Sequence, residues 1–371
     1  MCGIFGYLIM SGNTQANQPT FSWRHLWNSL YTIKGRGPDN MQLKQIGDNL
    51  VLGFQRLRIN DCSSAGDQPL HKGKISVACN GEIYNFKDLK EKYDFKFESG
   101  CDCEVLLHMY EKFGDVGQWI DELDGVFAFA IHDGNTGEVF LGRDAIGVRP
   151  IFMGQDEHGN YGFASEAKAL LNVVKPDTLK SFPPGSWWSS KTLEYTKWWN
   201  PETNLETVDL ETYDEDAVLK ETGELIYKAV CKRMMSDRPI GTFLSGGLDS
   251  SIVAALIKKF HIERGHQDTN LNTFSIGLEG SPDLAYAEIV AKHINSTHHH
   301  VEIQSDDCVN AVDDVVYATE TFDVTTIRAS TPMYLLSKYI RHNTSDVVIY
   351  SGEGADEVTQ GYLYFKKQPS P

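Results

Sequence analysis

The stretch Ile240-Gly241-Thr242-Phe243-Leu244-Ser245-Gly246-Gly247-Leu248-Asp249-Ser250-Ser251 decides how the second half of the chain is read. An apolar run, Pro239–Leu244, predicts a short buried strand. It breaks at two glycines and leads into a predicted helix over Ser250–Phe260. Glycines let the backbone turn tightly, and the unpaired N–H groups at a helix start point outward. Ser245, Ser250 and Ser251 add hydroxyl donors, and Asp249 is placed to hold Mg²⁺ that phosphates also bind. The lysine of a G-x-x-x-x-G-K-[ST] loop is absent, which argues against γ-phosphate transfer. A pyrophosphate cradle, with attack at the α-phosphate, fits better. A serine-capped Gly-Gly turn is the alternative for any part of this stretch. The whole octet between strand and helix argues for a ligand.

Outward from it, strands predicted at Leu271–Leu278, Thr297–Ile303 and Asp346–Tyr350 alternate with helices at Asp216–Met235, Asp283–Ile294, Asp306–Thr319 and Thr331–Arg341. That alternation implies a parallel sheet covered on both faces, with ligands at the carboxyl ends of its strands. Ser351-Gly352-Glu353-Gly354-Ala355-Asp356-Glu357 follows the last strand. Its glycines allow close backbone approach to a ligand, and its carboxylates suit a base or a metal. Taken alone it also reads as an exposed acidic turn. His298-His299-His300 invites a metal reading, but alternate strand residues face opposite sides, so the three cannot converge.

The first half is strand-rich. Cys2–Ile9, Leu50–Ile59, Ile75–Cys79, Val126–His132, Glu138–Arg143 and Tyr161–Ala164 predict strands, and Phe21–Thr32 and Asp102–Phe113 predict helices. This suggests an α+β layered domain. The chain divides near residue 205: between Trp198 and Leu219 lie seven acidic residues and no basic ones. Cys2 is the candidate nucleophile. Loss of Met1 leaves its α-amino group, with an ordinary pKa of ~7.7, beside its own thiol as a base. Such a thiolate needs an oxyanion hole and groups that hold the substrate, for which Arg56, Asn80-Gly81-Glu82 and Asp102 are candidates. On position alone, Cys2 reads as a buried strand residue.

Composition bounds the function. The chain has 371 residues, 41% hydrophobic and 23% charged, with a net charge of −17. The length suggests two domains, and the charge argues against a nucleic-acid or anionic-membrane binder. No apolar run reaches the ~18 residues of a membrane span. The apolar start has no basic segment before it, which argues against a secretory signal. Seven cysteines, an odd number, show no disulfide framework and suggest reduced thiols in the cytoplasm. Cys101-Asp102-Cys103 offers two cysteines without a second pair, a poor metal site by spacing.

The sequence resembles glutamine-dependent asparagine synthetases, most closely the bacterial asparagine synthetase B type. The resemblance rests on Cys2-Gly3-Ile4-Phe5-Gly6, Arg36-Gly37-Pro38-Asp39, Gln55-Arg56-Leu57, Asn80-Gly81-Glu82-Ile83-Tyr84-Asn85, Asp102-Cys103-Glu104, Gly142-Arg143-Asp144 and Ser165-Glu166. It continues through Ser245–Ser251, Asp323–Ser330 and Ser351–Gly354. Arg58 departs from it, standing where relatives carry a small residue, and Phe243 replaces a leucine. Intact Cys2 separates the chain from β-lactam-forming relatives.

The resemblance implies an N-terminal glutaminase domain (1–205), an α/β/β/α sandwich. An α/β parallel-sheet PP-loop ATP pyrophosphatase domain (206–371), incomplete at its C-terminus, would follow. Cys2 would attack the glutamine amide, with Asn80 and Gly81 as the oxyanion hole. Arg56 would hold the α-carboxylate, Glu82 and Asp102 would meet the α-amino end, and Leu57, Arg58, Ile59 and Asn60 would line the pocket. Ammonia would travel through an internal tunnel to a site where Phe243, Leu244, Ser245, Gly246, Gly247, Asp249, Ser250, Ile276, Ser351 and Gly352 bind ATP. Asp249 and Asp356 would serve Mg²⁺, and Glu353 would act in catalysis. Thr325, Thr326 and Arg328 would lie on the phosphate side. The implied small molecules are glutamine, aspartate and ATP with Mg²⁺, with no prosthetic group, nucleic acid or membrane; a homodimer is compatible. Relatives continue well beyond Pro371, so a glutaminase-only or non-catalytic regulatory short form is the alternative.

Overall fold

The protein is described by a computed structural model over residues 1–10, 22–201, 214–265, 270–359 and 361–362. It separates into two compact units, Met1–Leu210 and Glu211–Pro371. The expected boundary at 205/206 lies outside the described residues.

In the first unit, β1 (Gly3–Leu8) is buried along its whole length. Its side chains alternate between two cores, as a pleated strand requires. Ile4 and Leu8 face one, Phe5 and Tyr7 the other. β1 pairs antiparallel with β3 (Leu50–Arg56) and with β9 (Tyr161–Ala164). β2 (Asn40–Ile46), β8 (Phe152–Gln155) and β10 (Lys180–Ser181) complete a sheet of order β10-β8-β9-β1-β3-β2. A second sheet is built from β4 (Leu70–Lys72), β5 (Ile75–Ile83), β6 (Gly125–Asp133), β7 (Glu138–Arg143), β11 (Ser186–Ser189) and β12 (Tyr195–Lys197), in the order β12-β11-β7-β6-β5-β4.

The inner faces meet in one core, with Ile4, Leu52 and Phe54 against Ala128, Ala130 and Leu141. On the outer face of the first sheet, α1 (Trp23–Thr32) buries Leu26 and Leu30. On that of the second, α3 (Val105–Phe113) buries Val105, Leu106 and Met109, and α2 (Phe86–Lys92) buries Leu89. This is the expected α/β/β/α sandwich.

The second unit is a parallel sheet of order β15-β14-β13-β16, from β13 (Ile240–Phe243), β14 (Asn272–Leu278), β15 (Thr297–Ile303) and β16 (Val348–Tyr350). The helices are α4 (Glu215–Arg233), α5 (Leu248–Glu263), α6 (Pro282–Ile294), α7 (Ser305–Thr319), α8 (Val324–Asn343) and the short α9 (Ala355–Thr359). The order reverses beside β13, so the loops after β13 and β16 leave a crevice at their carboxyl ends.

Several expectations are corrected. β2, β4, β8 and β10–β12 were not foreseen; most are short or half-polar. The strand expected to reach Ile59 ends at Arg56, and β5 runs four residues past Cys79, to Ile83. α8 begins seven residues before Thr331 and passes through Pro332. The Thr331 hydroxyl bonds the Ile327 carbonyl at 2.7 Å just before that proline. The three histidines on β15 do diverge. His298 bonds Thr273 and Ser275, His299 stacks on Phe274, and His300 meets Glu302. No described helix is long and apolar enough to cross a membrane.

Candidate active sites

Cys2 hangs from the end of β1, and three contacts hold it there. The Arg36 Nε donates to the Cys2 carbonyl at 2.7 Å while its Nη1 pairs with Glu166 at 3.0 Å. Ile4 N donates to Ser165 Oγ at 2.9 Å. The Cys2 thiol lies 3.4 Å from Leu57 N and 3.5 Å from Leu57 O. Desolvation pushes the thiol pKa up, against the lowering effect of the amino terminus and the Leu57 N–H.

β5 carries Asn80 and Gly81 to the same pocket, which Glu82, Leu57, Ile59, Asn60, Arg56 and Asp102 also line. Asn80 is 1% exposed, and its side-chain nitrogen has no partner among the described residues. A buried, unspent amide donor in the same pocket as a thiol suits the needs of a tetrahedral oxyanion. Gly81 admits no side chain: a Cβ there would sit 2.3 Å from Val126 O. Asp102 is buried and accepts from Ile83 N at 2.7 Å and Asn60 Nδ2 at 3.2 Å. Burial raises its pKa, and these two bonds oppose the rise.

Arg56 is 3% exposed and builds the loop that follows it. Its guanidinium donates to the carbonyls of Asn60, Asp61 and Ser63 and pairs with Asp67. Arg58 turns back on the same Asp67 at 3.0 Å rather than into the cavity, which accounts for an arginine where a small residue was expected.

Three pocket residues, Arg149, Gln68 and Cys79, had not been singled out. Arg149 lines the cavity, and its Nε is buried without a partner among the described residues. The Asp144 carboxylate fixes the turn presenting it, accepting from Val148 N at 2.8 Å and Arg149 N at 2.9 Å. Cys79 is clamped by Gln68, which takes its N–H at 2.6 Å and donates to its carbonyl at 3.2 Å. An arginine after Gly147-Val148 and a cysteine inside a strand give no local signal; the Asp144 turn presents the first and β5 carries the second.

In the second unit the loops after β13 and β16 enclose a cavity. Phe243, Ser245, Gly247, Asp249, Ser250, Ser351, Gly352, Glu353, Asp356 and Glu357 line it, joined by the unforeseen Met333 and Tyr362. Ser245 Oγ meets Ser250 Oγ at 3.0 Å and accepts from Gly247 N at 3.3 Å, so the loop is tied by its own hydroxyls. Gly247 caps α5 without any side-chain bond, leaving the first-turn N–H groups for a ligand. Gly246 has φ +81°, and a Cβ there would lie 2.5 Å from Ala287 N. A Cβ on Gly352 would lie 2.9 Å from Ser250 N, so the two loops are in contact.

Some expected residues stand apart. Leu244 is fully buried beneath the loop, Gly246 faces α6, and Ile276 packs beside Phe243 in the sheet core. Thr325, Thr326 and Arg328 are exposed on the first turns of α8 and do not line the cavity. Thr326 instead bonds the capping Asp323.

A glutamine amidotransferase domain family matches residues 1–183, and an asparagine synthase family matches residues 221–371. Asparagine synthetase [glutamine-hydrolyzing] 2 of Lotus japonicus is 41% identical over 376 residues, covering 100% of this chain and 61% of its own. The Cricetulus griseus asparagine synthetase [glutamine-hydrolyzing] is 42% identical over 374 residues, covering 92% and 65%. Among solved structures, a glutamine phosphoribosylpyrophosphate amidotransferase from B. subtilis aligns over 81% of each chain, at 14% identity and a TM-score of 0.44. The chain therefore spans about three-fifths of the Lotus japonicus protein. It carries a glutamine amidotransferase domain followed by an asparagine synthase domain, and along its whole length it is similar to glutamine-hydrolysing asparagine synthetases.

Proposed function

We propose that the chain serves glutamine-dependent asparagine synthesis, with a glutaminase domain over 1–205 and a synthetase domain from 206. Removal of Met1, which lines the Cys2 pocket, frees the Cys2 amine and opens room for glutamine. The amine takes the thiol proton, and the sulfur attacks the side-chain amide. Asn80 and Gly81 stabilise the oxyanion, ammonia leaves, and water releases glutamate from the thioester. Glu82 and Asp102 meet the α-amino group. Arg56 shapes the carboxylate end through the loop from Leu57 to Asn60.

At the second site, aspartate attacks the α-phosphate of ATP to give β-aspartyl-AMP and pyrophosphate. Ammonia then displaces AMP to give asparagine. The Ser245–Ser250 loop cradles the pyrophosphate, with Ser351 and Gly352 beside it. Glu353 aids formation of the intermediate or takes a proton from ammonia. Asp249 and Asp356 line one cavity with hard oxygen donors, which fits Mg²⁺ held with the phosphates. That ion would supply charge neutralisation. Thr325, Thr326 and Arg328 are given no phosphate role.

The observation that supports this most is the pairing in one chain of an unspent amide donor beside Cys2 with a hydroxyl-tied Gly-Gly loop. Both halves matching glutamine-hydrolysing asparagine synthetases favours it over a glutaminase-only short form. The same reading makes the protein a cytoplasmic homodimer needing no prosthetic group; size-exclusion chromatography tests the dimer. The decisive experiment supplies glutamine, aspartate and Mg-ATP and measures glutamate, asparagine and pyrophosphate separately. Coupled appearance of all three is expected, and glutamate alone would overturn the synthetase half.

A further inference from the structure

β2 ends one sheet of the first unit and β4 ends the other, and residues of both line a second cavity. On β2, Gln42, Lys44 and Ile46 share a face. Ile46 enters the core between the sheets, so Gln42 and Lys44 stand at its open rim. β4 brings His71 and Lys72, and the segment before Asp102 brings Lys96. The cavity measures about 910 Å³, against about 460 Å³ for the Cys2 pocket. In a chain of net charge −17, three lysines on one cavity are a local inversion of sign. Lysines on edge strands also serve to block pairing with another sheet, but Lys96 lies on neither strand.

The carboxylates of this cavity are largely spent, whereas the lysines are not. Asp67 holds Arg56 at 2.5 Å and Arg58 at 3.0 Å. Glu104 accepts from Glu98 N at 2.6 Å and Ser99 N at 2.8 Å, and it meets His108 Nε2 at 3.4 Å. His108 is 3% exposed and stacks on Phe95 and Phe97; its Nδ1 meets Lys72 Nζ at 3.0 Å, which fixes that ammonium in the wall. Lys96 pairs with Asp94 where both are over 80% exposed, a contact of little strength. Lys44 has no ion pair among the described residues. Gln42 Oε1 is buried with no partner among them. Against the three lysines stands one further carboxylate, the exposed Glu98.

We propose that this cavity binds a phosphate-class anion, free or as a phosphomonoester, and that the bound anion tightens glutamine binding in the Cys2 pocket. Lysines serve phosphate as point charges and need no fixed fork. Gln42 Oε1 is left to accept from a protonated phosphate oxygen. Two walls of the cavity also support the Cys2 pocket. Asp67 is the counter-charge of Arg56, which builds the loop through Asn60. Glu104 closes the short turn Asp102–Glu104 that presents Asp102. An anion bridging Lys44, Lys72 and Lys96 ties these walls together and leaves less ordering for glutamine to bring about. The coupling rests on the glutaminase reading above; the binding does not.

The test is calorimetric titration of the full chain with inorganic phosphate, set against a Lys44→Gln, Lys96→Gln double variant. Phosphate taken up by the Ser245–Ser250 loop is common to both chains and cancels in the difference. The difference should show one equivalent, bound roughly tenfold or more weakly by the variant. Pyrophosphate and AMP, titrated in the same way, tell a free anion from a phosphomonoester. Saturating phosphate should lower the KM for glutamine about fivefold in the parent and leave the variant unchanged. Without phosphate the variant should turn over at the parent rate. By reciprocity, glutamine bound to Cys2→Ala should tighten phosphate by the same factor. Identical titrations of parent and variant would overturn the site. A difference between them, with no shift in KM and no response to glutamine in Cys2→Ala, would overturn the coupling. Phosphate affinity that responds to glutamine, in a parent chain that never releases glutamate, would instead overturn the glutaminase reading and leave this proposal standing.

Discussion

Among the described residues, Asn80 Nδ2 has no hydrogen-bond partner, and a buried donor left unpaired costs stability unless something else uses it. Asn80→Ala should therefore lower the glutaminase kcat by ~10²–10³ and leave thermal stability unchanged or slightly raised. Steady-state kinetics beside a melting curve checks this; equal losses in kcat and stability would make Asn80 a structural residue. Met1 offers a second test at this scale. Burial lowers its α-amino pKa from 8.0 to about 6, with Arg36 and Arg149 adding to the fall and Cys2 opposing it. Between those values the unfolded chain binds more protons than the folded one, so stability rises with pH. A Met1-retaining chain should gain melting temperature from pH 6 to 8, with the gain complete above 8 and lost as pH falls through 6. The processed chain, measured alongside, should follow a different curve.

The loop from Leu57 to Asp67 depends on one buried ion pair, Arg56 with Asp67, which Arg58 also joins. Asp67→Asn leaves Arg56 buried without its counter-charge, at a cost of about 3–5 kcal/mol. It should raise KM for glutamine as the pocket wall loosens, read from denaturant titration and initial rates together. Gly246 answers for the other loop. Its φ of +81° and its approach to Ala287 both exclude a side chain. Gly246→Ala should cost upward of ~1 kcal/mol and suppress pyrophosphate release while glutamate release continues. The sequence made the strongly apolar strands legible, β1, β3, β6, β7 and β14 among them, and the Ser245–Ser251 turn with its helix. It overran β3 because Leu57 and Ile59 look like strand residues, although they line a pocket from a loop. It missed β8 and β11, four residues each, because short segments carry too few alternations to register. Arg149 and Cys79 were invisible for a different reason: the pocket gathers them from separate places in the fold, a turn held by Asp144 and the strand β5.

At the scale of the molecule, each unit holds its own cores among the described residues: three buried clusters within residues 4–188 and three within 230–340. A chain ending at Leu210 should fold and hydrolyse glutamine, and Asp249→Asn in the full chain should depress pyrophosphate formation without touching glutamate release. Loss of glutaminase in either would tie the first site to the second unit. The pairing of β1 with β9 has a consequence of another kind. β1 cannot complete its sheet until Tyr161–Ala164 has been made. At roughly 5–20 residues per second that interval is about 10–30 s. Through all of it the nascent amino terminus stays open to whatever trims Met1. Once β9 docks, the end is locked between two neighbours. On the proposed mechanism Cys2 is thus unmasked by timing: processing has its chance during translation, and a chain that folds before it is trimmed keeps its own first residue in the Cys2 pocket.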